Sequence, residues 1–234
     1  VAEEPKLPTI ATIRIARHNL PAHILSYRPS PGTPPDYAIC WQCVFAMRLF
    51  ECPPEQRVQI AGAPAGEKIL EELLVNGIGR KFRLSRAQIE PLQQQLFTGM
   101  ITHLRSVPIG LRVVAWLGRN YPQLRELERP FAEQELKMGT ESLDSRVREM
   151  MPPEIFKPTS CINAAHAIYW AERLEKYDLV NPYRSLGFES QGRKLLEITT
   201  SVSDDPLHDK ELIDRWAEHL GLQEWYTWVP YAAP

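Results

Sequence analysis

The stretch Asp36–Glu51 is apolar on every side of a helix. Two prolines precede it, two more follow it, and between its ends only Gln42 and Arg48 are polar. A helix that is apolar all round has to be buried all round. Its roughly 15 residues span about 22 Å, which is enough to cross a small domain but not a bilayer. We therefore predict a central, fully buried helix at about residues 36–51.

The residues around this helix predict a small β-sheet. Residues 9–16 and 22–28 alternate apolar and polar side chains, as strands do, and a turn-like Asn-Leu-Pro lies between them. We expect these two segments to form a β-hairpin. Residues 57–61 are compatible with one more short strand of the same sheet.

Helical periodicity dominates the rest of the chain. Ser85 and Gln88 match a capping box, but Pro91 would break a continuous helix one turn later, so the helix is expected to start at one of these two places. A separate helical segment is predicted at 109–119.

These elements predict an α+β fold that is mainly α-helical, with an N-terminal β-hairpin or small sheet packed on a helical bundle. We expect a single domain over residues 1–234. The sheet comes from residues 9–61, the helices from 67–221, and the aromatic tail 222–234 docks on the core. A soft boundary near residue 152 is the alternative.

Composition narrows the classes of function. Of 234 residues, 44% are hydrophobic, which is enough for a sizeable core. A net charge of −2 argues against nucleic-acid binding through bulk charge. The charge is uneven, because residues 1–120 carry 14 Lys or Arg and 9 Asp or Glu, whereas the remainder carries 13 and 20. Two faces of opposite sign would suit a protein partner or head-to-tail self-association.

The four cysteines are too few for a secreted disulfide framework, so reduced thiols and a cytoplasmic location are expected. The chain also shows no leader pattern and no apolar run as long as a membrane span.

Cys40 and Cys43 form a C-x-x-C pair, a spacing used by zinc sites and by dithiol redox sites. Zinc needs more ligands, and the hairpin histidines His18 and His23 are the candidate donors. The alternative is that both cysteines are small apolar residues packed in the core. We predict no cofactor and keep zinc as the alternative.

The densest cluster of positive charge lies at residues 80–86, around Phe82. Alternation predicts a solvated edge strand protected by charge; the alternatives are an acidic partner or nucleic acid, of which nucleic acid is disfavoured by the overall charge. The tail adds two tryptophans that could dock on the core or bind a partner. The candidate partner-binding residues are Arg80, Lys81, Arg83, Arg86, Trp225 and Trp228.

His166 is the candidate catalytic residue. Asn163 and Trp170 lie near it at helical spacing, so Asn163 could orient the imidazole of a general base. The chain lacks the named hydrolase, metalloprotease and dinucleotide-binding signatures.

Three hypotheses follow from these patterns. The leading one is an intracellular protein-interaction or assembly module, with a protein partner or a second copy of the chain, no membrane and no nucleic acid. The second is a metal- or thiol-containing protein that uses Cys40 and Cys43. The third is a hydrolase-like enzyme of unidentified class that uses His166.

Overall fold

The structure is a computed structural model that describes residues 1–231 except residues 8, 18, 30, 31 and 33. With 71% of its residues in helices, it confirms the α+β, mainly helical fold. The helices are α1 (Asp36–Glu51), α2 (Pro64–Leu74), α3 (Arg80–Phe82), α4 (Arg86–Asn120), α5 (Arg125–Glu141), α6 (Ser145–Met150), α7 (Pro153–Leu174), α8 (Asn181–Ser185), α9 (Glu189–Ser201) and α10 (Asp209–Leu220). The strands are β1 (Ala2–Glu3), β2 (Ala11–Arg14), β3 (Ile24–Tyr27), β4 (Val58–Gly62) and β5 (Tyr226–Pro230).

The predicted hairpin is confirmed and forms part of an N-terminal sheet. β2 and β3 are antiparallel, with Ala11 opposite Tyr27 and Arg14 opposite Ile24. β1 adds to the other edge of β3 in parallel, so the strand order is β1-β3-β2.

The strand after α1 does not join this sheet, contrary to the prediction. β4 instead pairs antiparallel with β5 from the aromatic tail, with Val58 opposite Pro230 and Gly62 opposite Tyr226. The tail is held there by Trp225, which is 4% exposed. A Cβ at Gly66 would lie 2.6 Å from the Cα of Trp225, so the absence of a side chain on α2 lets the tail approach. The described part of the tail therefore docks on the molecule.

Helix α1 has the predicted bounds, but the prediction that it is buried on every side is wrong. Val44 and Ala46 are buried, whereas Cys43 is exposed and Met47 is 45% exposed. One side of α1 packs on α4, α5 and β2. The other side is left uncovered because no element of the described chain packs over it.

The centre of the bundle is made by α4 and α7. α4 runs unbroken from Arg86 through Pro91 and Pro108, so the separate helices predicted there are one helix. Its capping box at Ser85 is present as predicted. One continuous hydrophobic cluster takes in buried residues from Ile10 to Trp225. No helix in the described part of the chain is both long enough and apolar enough to span a membrane.

A buried ion-pair cluster fixes α1 and α4 to the start of α10. Arg48 and Arg112 are 5% and 4% exposed, and both donate to Asp209, at 2.8 and 2.7 Å. Arg48 also donates to the Asp204 carbonyl and Arg112 to the Val202 carbonyl. The two charges are thereby compensated and hydrogen-bonded, as burial requires.

Candidate functional site

A cavity of about 900 Å³ lies between β2, α1, α4, α5 and α7. Its volume lies in the range of small-molecule sites, roughly 300 to 1,000 Å³. We call it the histidine cavity, after His103 of α4 and His166 of α7, which line it together with Glu135 of α5.

One face of α7 supplies the polar wall of this cavity. Asn163, His166 and Trp170 are spaced at three and four residues, which places them on the same side of the helix. The opposite side of α7, which carries Ala165 and Ile168, is buried in the core. The apolar face thus fixes the helix and holds the polar face towards the cavity.

The hydrogen bond made by His166 defines what its ring can do. The indole Nε1 of Trp170 donates to Nε2 of His166 at 2.8 Å. In a neutral ring the proton is then on Nδ1, so the ring can donate from Nδ1 but has no free lone pair. Burial, and after it the nearby His103, lowers the pKa of His166 to about 3. This geometry favours a neutral hydrogen-bond donor over the general base considered from the sequence.

His103 is also held neutral. Burial lowers its pKa to about 4, although a hydrogen bond with Asn163 opposes the shift. The Asn163 amide in turn donates to the Ser142 hydroxyl at 3.1 Å, and that hydroxyl donates to the Gly139 carbonyl at 2.6 Å. This chain of bonds orients the Asn163 amide beside the His103 ring.

Glu135 is the only acidic side chain described in the cavity wall. Burial raises its pKa to about 7. Near neutral pH the carboxyl is therefore divided between a protonated form that donates a hydrogen bond and an ionised form. The wall thus offers polar groups with little negative charge.

Positive charge is concentrated at the side of the cavity next to β2 and α1. Arg14, Arg17 and Arg105 line this side. The Nε atom of Arg105 is buried and has no hydrogen-bond partner among the described residues. The guanidinium carbon lies 5.5 Å from the ring centre of Phe45. Burial, followed by repulsion from Arg17, lowers the pKa of Arg105.

No carboxylate compensates these three arginines within the described chain. The ion pairs found there join other residues. An arginine stays charged in proteins even when its pKa is lowered. The histidine cavity is therefore a hydrogen-bonding space that is open to solvent and has a cationic side.

The candidate metal ligands are not brought together where the structure describes them. Cys40 is half-buried and Cys43 is exposed. His23 accepts a hydrogen bond from the Ala16 amide at Nδ1, and its ring packs edge-on against Phe50, ten residues and about 15 Å along α1 from Cys40. His18 lies outside the described residues.

The chemistry of the pair also offers little support for a metal or redox site. Partial burial, with smaller contributions from Cys43 and Asp36, raises the pKa of the Cys40 thiol, whereas metal binding and redox chemistry need the thiolate. Within the described residues, no group of three or more His, Cys, Asp or Glu side chains could hold a metal ion.

The basic cluster at residues 80–86 is not an edge strand, so that interpretation is wrong. Arg80 and Lys81 lie in α3, and Arg83 adopts the left-handed conformation with φ of 53°. The Leu84 amide donates to the Gly79 carbonyl, which closes the helix end in the manner of a Schellman motif. This local closure outweighs the alternating pattern.

The cations of this cluster project into solvent. Arg80, Lys81 and Arg83 are exposed, and Arg86 makes one exposed ion pair with Glu71 at 3.2 Å. Next to them, Phe82 is 47% exposed. The cluster is therefore accessible to a partner.

The two tail tryptophans are occupied within the molecule. Trp225 stacks on Phe97, with ring centres 6.1 Å apart. Trp228 is half-buried, and its indole donates to the Asp214 carboxylate at 2.7 Å. In this conformation Trp225 in particular has almost no surface to offer a partner.

Sequence reasoning found one side of the histidine cavity and missed the other. His166, Asn163 and Trp170 were recognised by their helical spacing. Arg105 was missed, although Ile101 and Ile109, four residues before and after it, place it on the apolar side of α4. A charged residue on an otherwise apolar side of this helix was the signal that could have identified Arg105.

Glu135 carried no comparable signal, because its place in the cavity depends on how α5 packs.

Comparison with known proteins gives no further information about the site. No protein-family model, no curated protein and no solved structure was found to match this chain.

Proposed function

We propose that this protein binds a small organic anion in the histidine cavity. The observation that carries the proposal is the buried Nε of Arg105, which lacks a hydrogen-bond partner in the described chain. A buried charge is costly unless an opposite charge and hydrogen bonds compensate it. A bound carboxylate or phosphate would supply both, since guanidinium groups bind these anions through two parallel hydrogen bonds.

The remaining cavity wall suits the uncharged part of such a ligand. His166 presents an Nδ1 donor, and Glu135 donates when protonated. Neutral histidines do not compete with Arg105 for the anion. Directional groups of this kind fix a ligand's orientation in a pocket.

Thermal unfolding in the presence of probe molecules tests the proposal. The probes are benzoate, acetate and inorganic phosphate, with benzamide as the uncharged counterpart of benzoate. A bound anion at 100 times its Kd stabilises the folded state by about 2.7 kcal/mol. We expect at least one anion to raise the Tm and benzamide to have a much smaller effect.

The decisive variant is Arg105→Met. It removes a partly buried charge that has no carboxylate partner among the described residues, so the unliganded variant is expected to unfold at a higher temperature than the native protein. At the same time the anion-dependent rise in Tm should vanish. Arg119→Gln is the matched control, because Arg119 is 59% exposed and pairs with Asp204 outside the cavity. An anion effect that survives in Arg105→Met would refute the proposal.

A protein-interaction or assembly role is the second candidate. It is favoured by the exposed cations Arg80, Lys81 and Arg83, which form no ion pair with the described residues. The acidic second half of the chain could receive this cluster in a head-to-tail oligomer.

Sedimentation equilibrium at low and high salt tests this second role. Self-association should weaken as salt rises and disappear when all three cations are changed to Glu. Lys6→Glu, Arg146→Glu and Arg148→Glu together form the control with the same change in charge. A protein that stays monomeric at low salt would exclude the head-to-tail oligomer.

A further inference from the structure

A second cavity is also lined by Arg105. It has a volume of about 260 Å³ and is formed by α1, β4, α4, α10 and β5. Most of its wall is apolar, and we call it the apolar cavity, after Leu49, Val58, Ile60, Ile109, Ile213 and Trp228.

The polar groups in the apolar cavity are largely occupied. Arg48 and Asp209 bind each other at 2.8 Å, and Lys210 binds Asp214 at 2.7 Å. Among the described residues that line the apolar cavity, Arg17 and Arg105 are the charged side chains without an ion-pair partner.

The two cavities share a wall. Ile15, Arg17, Phe45 and Arg105 line both of them. An anion held by the Arg105 guanidinium would therefore sit at the boundary between a polar space and an apolar one. A ligand anchored there could extend an apolar portion into the apolar cavity while its anionic group stays at the arginines.

We propose that the ligand is an amphipathic monocarboxylate whose carboxylate binds Arg105 and Arg17 and whose unbranched apolar tail fills the apolar cavity. This inference rests on the proposed function. The volume of the apolar cavity equals that of about nine water molecules at roughly 30 Å³ each. A methylene group is similar in size, so the tail has room for roughly eight to ten carbons.

The chain length of the ligand provides the test. Calorimetry would compare butanoate, hexanoate, octanoate, decanoate and tetradecanoate, each below the concentration at which it forms micelles. Each methylene buried in the apolar cavity should lower the Kd roughly threefold to fourfold. The gain is expected to stop at about eight to ten carbons, where the cavity is full.

Two variants locate the tail. Leu49→Trp and Leu207→Trp each place a large ring in the apolar cavity, and Leu207 is 46% exposed, so the second change is compatible with folding. Both should abolish the gain in affinity with chain length. Arg105→Met should weaken every member of the series.

The outcomes separate the two proposals. Equal affinity for short and long carboxylates, dependent on Arg105, overturns the amphipathic ligand but supports an anion site. A chain-length gain that persists in both tryptophan variants places the tail elsewhere and also overturns the inference. Absence of carboxylate binding overturns the amphipathic ligand, and absence of binding by any anion probe overturns the proposed function as well.

Discussion

Single side chains in the histidine cavity titrate far from their ordinary pH ranges. Glu135 has a pKa of about 7 in the folded protein, whereas an ordinary Glu titrates near 4.3. Between these values the unfolded chain has lost the proton that the folded protein keeps. The contribution of Glu135 therefore makes the folded state less stable as the pH rises from about 4.5 to 7.

The variant Glu135→Gln should not lose stability in this way as the pH rises. Relative to the native protein, the variant is expected to be more stable by about 1 to 3 kcal/mol at pH 8, with little or no such gain at pH 4.5. Urea unfolding at the two pH values measures the difference. Glu126→Gln, an exposed position on the same helix, is the control. A change in stability that is equal at both pH values would show that burial does not shift Glu135.

The titration of His166 has the opposite effect on stability. His166 stays neutral in the folded protein down to a pH of about 3, whereas an ordinary His in the unfolded chain binds a proton below about 6.5. The contribution of His166 therefore makes the folded state less stable as the pH falls from 6.5 towards 3.

His166→Gln should flatten the acid side of the stability profile. The slope of unfolding free energy against pH between 4 and 6 should decrease by up to about 1.4 kcal/mol per unit. Gln retains an acceptor for the Trp170 indole, so the variant can keep that hydrogen bond. His219→Gln, at an exposed site, is the control. An unchanged slope would contradict a buried, neutral His166.

At the scale of helices and strands, the sharpest prediction concerns the buried ion-pair cluster around Asp209. Asp209→Asn leaves Arg48 and Arg112, both almost completely buried, with only the more exposed and more distant carboxylate of Asp204. Loss of one partner in a buried ion pair costs about 3 to 5 kcal/mol. Arg119→Gln, at the exposed edge of the same cluster, should cost less than about 1 kcal/mol. Similar losses for the two variants, measured by denaturant unfolding, would mean that Asp209 does not anchor α10.

The bounds of elements were predictable where the signal was local. Prolines on both sides delimit α1, and the capping box at Ser85 marks the start of α4. The continuity of α4 was not predictable from its prolines. Residues on both sides of Pro108, such as Leu104 and Leu111, are buried, and their packing outweighs the roughly 3 kcal/mol that an internal proline costs.

At the scale of the whole molecule, the tail packs on the core and completes the second sheet. Trp225 fills a space beside Phe97 and Gly66, and β5 covers the edge of β4. Trp225→Ala should therefore cost about 3 to 5 kcal/mol and increase hydrogen exchange at the β4 amides. Thr227→Ala, at an exposed position of β5, is the control. Unchanged exchange in β4 would show that β5 pairs without Trp225.

The pairing of strands that lie far apart in the chain could not be predicted from the sequence. Residues 57–61 were compatible with a strand, but its partner lies in the tail, and nothing local distinguishes that partner from β2 or β3. The same limit applies to the cavity. His166 could be placed from its own helix, whereas Arg105 and Glu135 meet it only because α4, α5 and α7 pack together.

The pairing of β4 with β5 also has a consequence for synthesis on the ribosome. β5 begins at Tyr226, which is translated roughly 160 residues after β4 ends at Gly62. At about 5 to 20 residues per second, β4 waits for roughly 10 to 30 s with an unpaired edge. Unpaired strand edges are sites of aggregation. The nascent chain is therefore most in need of chaperone protection during this interval, and premature termination shortly before Tyr226 would make the exposure permanent.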